Sequence, residues 1–170
     1  MKKTVTATVI MIFAMATLKG QEGNGTLLKV GDKAPLFTAK TIDGKTVDLT
    51  KIKDKVIMLT FFATWCGPCN QELPVLEKNI WNKYRDNDDF ILLVLGREHD
   101  EKALKDFAAA KGFNLPFAPD PKREVFSKYA EISIPRNVII GKDGKIAWQG
   151  IGYNPEEFRE MEEFLAGLLK

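Results

Sequence analysis

Thr64-Trp65-Cys66-Gly67-Pro68-Cys69-Asn70-Gln71-Glu72 is the stretch from which the rest of this 170-residue chain can be read. Residues 56–62 (VIMLTFF) precede it as an almost unbroken apolar run, the pattern of a strand buried on both faces. After it, Leu73, Leu76, Ile80, Trp81 and Tyr84 fall on one face at helical spacing. The two cysteines therefore stand where a buried strand hands over to a helix. The first turn of a helix has backbone N–H groups without intrahelical partners and carries the positive end of the dipole, so a thiolate there is stabilised. Cys66 is expected at the mouth of the helix and Cys69 one turn further in, more enclosed. An ordinary thiol, with a pKa of about 8.5, is only a few per cent ionised at neutral pH, whereas CxxC thiols come down to about 7. Cys66 is thus the expected attacking sulfur and Cys69 the resolving one. The spacing also suits a metal, but a closed zinc site needs four ligands. The chain has two Cys and one His, and His99 lies far along the sequence beside Asp100 and Glu101, so no metal is expected.

Trp65 to Cys69 (WCGPC), the apolar strand before it and Pro74 five residues beyond the second cysteine resemble the thioredoxin superfamily. Gly31, Ala34, Pro35 and Phe37 (GDKAPLF) and a secretory-looking N-terminus are similar to its extracytoplasmic TlpA/ResA-like branch. The likeness runs over about residues 27–169 and is most specific at the pentapeptide and at Ile134-Pro135. It implies an α/β thioredoxin-like fold, a central mixed β-sheet flanked by helices with an N-terminal β-hairpin extension. It also implies a thiol-disulfide oxidoreductase cycling through a Cys66–Cys69 disulfide. Gly67-Pro68 between the cysteines matches reducing members.

Further site residues follow from the resemblance. The superfamily's buried acid six residues before the first cysteine is replaced here by Thr60. Glu72 matches a glutamate that the TlpA/ResA-like branch places beside its cysteines, and it could take the proton of Cys69 if its pKa is raised. On this reading Glu72→Gln slows disulfide resolution with little loss of stability; the alternative is a solvated first-turn acid favoured by the helix dipole. Pro135 matches the proline that is cis in the family, with Ile134 offering its backbone edge to an extended substrate segment. Gly150 matches a glycine near the substrate groove, although a plain turn would need one too. Trp65 is expected to shield the sulfurs and touch substrate. Arg136 departs from the small hydroxyl residue usual after the proline and is expected to be solvated, the alternative being a preference for acidic partners.

Composition sets the frame. At 170 residues and 45% hydrophobic content the chain suits one packed domain. Its 25 basic and 23 acidic residues are interspersed, with no basic stripe for nucleic acid. Residues 1–20 read as an export signal: Lys2 and Lys3, an apolar Thr-rich run over 5–16, then small residues, with cleavage after Ala16 or, preferred, after Gly20. The latter removes three lysines and no acid, moving the formal charge from +2 to −1. The apolar run is shorter than the roughly 20 residues of a spanning helix. Residues 21–26 read as a linker and 27–170 as the domain. Export places a lone CxxC in a periplasmic or other extracytoplasmic compartment, where a single pair is too few for a disulfide scaffold.

Along the domain, residues 37–41 and 45–49 flank Asp43-Gly44 as a hairpin, expected to add to the main sheet. Pro74 should bend the first helix. A strand is expected at 90–95, then a helix from Asp100 as cap over 101–111 to Gly112 as stop, with Ala103, Leu104, Phe107 and Ala108 inward. Residues 113–121 are irregular with a short strand near Phe117, and Val125, Phe126 and Tyr129 suggest a short helix. Strands at 137–140 and 145–149 flank the turn 141–144, and Asn154-Pro155 opens a final helix burying Phe158, Met161, Leu165 and Leu168. Trp81 and Trp148 read as packing.

Two other functions stay open at this level. A thiol peroxidase shares the lead-in, but the peroxiredoxin PxxxTxxC pattern would need Pro and Thr where Leu59 and Ala63 stand. A binding module with a structural disulfide is the non-enzymatic alternative. The chain has no GxGxxG fingerprint, hence no expected cofactor. Electrons would come from a membrane dithiol donor to protein disulfide substrates, and a monomer is expected.

Overall fold

The computed structural model describes Gly23 and residues 25–170. The export signal read at 1–20 lies outside the described residues. A five-stranded mixed sheet in the order β5-β4-β3-β6-β7 organises the fold, its strands being β3 (Val56–Phe62), β4 (Phe90–Arg97), β5 (Phe117–Asp120), β6 (Arg136–Ile140) and β7 (Ile146–Ile151). β3, β4 and β5 run parallel, while β6 is antiparallel to β3 and β7 antiparallel to β6. β3 is central and buried at all seven residues. Its alternation divides the core. Val56, Met58 and Phe62 face a cluster that includes Leu73, Leu76, Ile80 and both cysteines. Ile57, Leu59 and Phe61 face a second cluster around Phe126 and Tyr129. Thr60 shares the parity of Met58, so the pleat turns it towards the cysteine side.

The helices begin where the sequence signals them. α1 (Gly67–Leu76) has Cys66 as its N-cap and passes through Pro74 into a π-helical turn at Glu77–Trp81, then α2 (Asn82–Tyr84). The widened turn is not legible in the apolar pattern. It is fastened from outside: Asn114 N donates to Glu77 Oε1 (2.5 Å) and Trp81 Nε1 donates to Asn114 O (2.9 Å). Asp100 caps α3 (Glu101–Lys111) by accepting from Ala103 N, and Gly112 ends it in the left-handed region at φ 71°. α4 (Phe126–Tyr129) is short, and α5 (Pro155–Leu168) starts from the Asn154 cap and buries Phe158, Met161 and Leu165.

One expectation is corrected. The hairpin β1 (Thr38–Lys40) and β2 (Thr46–Asp48) forms, but as its own two-stranded sheet, tied to β5 by the bond from Ile42 N to Phe117 O (2.8 Å). Pro119 lies within β5, flanked by Pro116 and Pro121, and an edge strand with a proline lacks a donor for continuing the ladder. Gly25 and Thr26, read as the end of a linker, are bonded to the domain: Glu131 N donates to Gly25 O (2.8 Å), and Thr26 bridges to Ala130.

Candidate active site

The loop between β3 and α1 is held by its own side chains. Cys66 N donates to Ala63 O (3.0 Å), and Asn70 Nδ2 reaches back to the carbonyls of Thr64 and Cys66, each at 2.9 Å. Cys66 and Cys69 are joined as a disulfide, with Cα atoms 5.3 Å apart. Cys66 Sγ accepts the backbone N–H of Cys69 at 3.2 Å, so this sulfur meets the unpartnered amides of the helix start. Both residues are buried, Cys66 at 5% exposure and Cys69 at 1%, in the order the sequence implies.

Trp65 is 64% exposed, with the Arg97 guanidinium 5.7 Å from its ring centre and 5.1 Å from that of Phe126. The Ile134-Pro135 bond is cis. Phe61 pairs with Arg136, so Pro135 lies beyond it, at the end of β3 from which the cysteine loop leaves. Pro135 O accepts from Gly152 N (2.8 Å), and Ile134 packs against the cluster that contains the cysteines. Gly150 is not in a turn. It sits within β7 opposite Asn137, where a Cβ would come within 2.3 Å of the Trp148 ring.

Glu72 is fully buried on the same face of α1 as Cys69, which removes the solvated alternative. Burial raises its pKa to about 7, partly opposed by the hydrogen bond that Asn137 Nδ2 donates to Oε1. Oε2 is buried without a hydrogen-bond partner among the described residues. Asn137 is itself held: Thr60 Oγ1 donates to Asn137 Oδ1 at 2.7 Å. Thr60, standing where the superfamily has an acid, therefore begins a buried chain that ends on a carboxylate elsewhere.

Arg136 is corrected outright. It is not solvated but fully buried, because its position on β6 turns it to the opposite face from Asn137. There Nη1 donates to Thr26 Oγ1 (2.9 Å) and Nη2 to the carbonyl of Ile132 (3.1 Å). Sequence reasoning also missed His99, whose Nε2 accepts the backbone N–H of Thr64 (3.0 Å), and Asn137. Burial lowers the His99 pKa below 6.5, consistent with a neutral ring that accepts at Nε2. A signal existed for Asn137: a polar side chain in a strand otherwise buried needs a partner.

A comparison of the chain with known families matches the Redoxin family over residues 29–165. The chain belongs to the Redoxin family. Thiol-disulfide oxidoreductase ResA of Bacillus thuringiensis (strain Al Hakam) is 30% identical over 138 residues, covering 81% of this chain and 78% of that protein. The thioredoxin-like protein YneN of Bacillus subtilis (strain 168) is 32% identical over 139 residues, covering 81% and 79%. Among solved structures, a candidate protein disulfide isomerase from Bacteroides thetaiotaomicron is 39% identical with a TM-score of 0.82, covering 86% of this chain and 93% of that one. This Redoxin family member is a TlpA/ResA-like thioredoxin-superfamily protein and a thiol-disulfide oxidoreductase. That sets aside the binding-module alternative.

Proposed function

We propose that the chain is an exported protein-disulfide reductase in which Cys66 attacks, Cys69 resolves and Glu72 takes the Cys69 proton. The observation that carries this reading is the inequivalence of the sulfurs: Cys66 Sγ accepts an amide at the helix start, while Cys69 lies deeper, one turn from a buried carboxylate. In the reduced enzyme, Cys66 thiolate attacks a substrate disulfide, forming a mixed disulfide and releasing one substrate thiolate. Cys69 gives its proton to Glu72, and its thiolate attacks Cys66 Sγ. The Cys66–substrate bond breaks, the Cys66–Cys69 bond forms and the second substrate sulfur leaves as thiolate. The substrate gains two electrons, the enzyme loses two, and the proton on Glu72 is available to the departing thiolate.

Trp65, Ile134, Pro135 and Gly150 are the residues proposed to border the substrate, with an extended segment laid along the Ile134 backbone. Residues 1–20 are proposed as the export signal, 21–26 as the segment joining it to the enzyme, with Gly25 and Thr26 bonded to the domain, and the rest as the enzyme, acting as a monomer. A membrane dithiol carrier would restore the reduced pair. No described helix is long and apolar enough to cross a membrane. Cytochrome c maturation and general repair of exported thiols are the two settings that fit this chemistry.

The test is a Cys69→Ser variant expressed with its export signal. The expected result is a set of exported cysteine proteins held on Cys66, released by dithiothreitol and absent when Cys66 is also replaced by Ser. Equal capture by single and double variants would overturn the assignment of Cys66. A reduced enzyme unable to reduce a protein disulfide, yet able to receive electrons from dithiols when oxidised, would overturn the reductase direction.

A further inference from the structure

Three observations converge on one atom. Thr60 Oγ1 donates to Asn137 Oδ1, which leaves the Asn137 amide nitrogen facing Glu72. That nitrogen donates to Glu72 Oε1. Glu72 Oε2, on a side chain with no exposure, is left without a hydrogen-bond partner among the described residues. A carboxylate with one oxygen engaged by a donor and the other bare accepts a proton at the bare oxygen, because protonating Oε1 would make it a weaker acceptor and weaken the amide bond it holds.

We infer that Asn137, oriented by Thr60, is a positioning residue that fixes the Glu72 carboxylate so that Oε2 is the oxygen that receives and returns the Cys69 proton. This rests on the role given to Glu72 above and assigns that role to one atom and two further residues. The Thr60 hydroxyl matters because an asparagine amide can turn over: with the oxygen side towards Glu72 it would oppose the charged carboxylate instead of supporting it. A hydroxyl donor on β3 opposite Asn137 on β6, a register pair, selects the supporting orientation.

The surroundings leave this pair as the main local control. β3 and β7 bring no titratable side chain. Cys66 and Cys69 are on α1 itself, and Arg136 on β6 is turned to Thr26 and Ile132. From the α5 side, Tyr153 and Glu157 line the small cleft that also touches Asn137. Desolvation and the Asn137 bond account for the displaced Glu72 pKa, with no charged neighbour among the described residues contributing.

The experiment follows the carboxyl carbon of Glu72 by 13C NMR against pH in reduced wild type, Thr60→Val, Thr60→Ser and Asn137→Leu, together with the pH profile of mixed-disulfide resolution. Asn137→Leu should raise the Glu72 midpoint by about one pH unit, the loss expected for one hydrogen bond to a charged group. Thr60→Val should move it in the same direction by less, and Thr60→Ser, which keeps the hydroxyl, should restore the wild-type midpoint. The resolution profile should follow the midpoint in each case. Glu72 midpoints unchanged in Thr60→Val and Asn137→Leu would overturn the inference; if Asn137→Leu does not fold, the Thr60 pair alone decides it. A Glu72→Gln variant keeps the two ideas apart. A resolution profile indifferent to that change would refute Glu72 as proton acceptor, while the midpoints would still report whether Asn137 and Thr60 set the carboxyl.

Discussion

Glu72 and Asp120 are the two carboxylates buried among the described residues, and they are held in opposite ways. Both oxygens of Asp120 are engaged: Oδ1 accepts Val125 N (3.1 Å) and Oδ2 accepts Phe126 N (2.8 Å), so the acid fastens the start of α4 to the end of β5. Glu72 has one oxygen on a side-chain amide and the other on no hydrogen-bond partner among the described residues. A buried carboxyl with both oxygens hydrogen-bonded to backbone amides belongs to the architecture, because its loss strands donors that nothing else satisfies. A buried acid with a bare oxygen can change protonation without disturbing its neighbours. The same contrast is repeated one residue apart on β6, where Arg136 ties the N-terminal segment down and Asn137, on the other face, serves the cysteine side.

Substitutions at the two acids should therefore separate stability from chemistry. The largest loss is expected from Asp120→Ala, which strands two buried amides and should lower unfolding stability by about 2–4 kcal/mol. Urea denaturation checks this, and disulfide reduction per folded molecule should be unchanged. At Glu72 stability depends on pH through its raised pKa. Below about pH 4.5 the carboxyl is protonated in folded and unfolded chains alike. Between 4.5 and about 7 the folded chain keeps a proton that the unfolded chain has released, so stability falls as pH rises and the fall is complete above about 7. Relative to wild type, Glu72→Gln should thus gain on the order of 3 kcal/mol between pH 4 and pH 8. A difference between the two proteins that stays constant over that range would erase the distinction from Asp120. The smallest effect belongs to His99. Its lowered pKa makes stability fall as pH drops below 6.5, where the unfolded chain takes up a proton and the folded chain does not. His99→Leu should flatten that acid limb, read from thermal unfolding between pH 5 and 7.

Much of this was legible in the chain. Strand β3 is apolar at six of its seven residues, and the cap signals at Asp100 and Asn154 mark helix starts that the structure keeps. The cysteine junction needs only the strand before it, the apolar helical face after it and Pro68. Long-range pairing was what the sequence could not display. Arg136 looked solvated because nothing local hints that Thr26, 110 residues away, returns to meet it. His99 looked remote because 35 residues separate it from Thr64, yet parallel pairing of β3 with β4 brings the two strand ends together. Glu72 was found through the resemblance, but its partner Asn137 is 65 residues away, on a strand whose register sets it opposite Thr60.

The account is tested most directly by the rate at which a preformed Cys66 mixed disulfide resolves, followed from pH 5 to 9 in wild type and in Glu72→Gln. In wild type the rate should rise through a midpoint near 7, where Glu72 becomes free to accept the Cys69 proton. In the variant that step should vanish, leaving a rate about 100-fold lower at neutrality that climbs only as Cys69 ionises unaided. Superimposable profiles for the two proteins would contradict it.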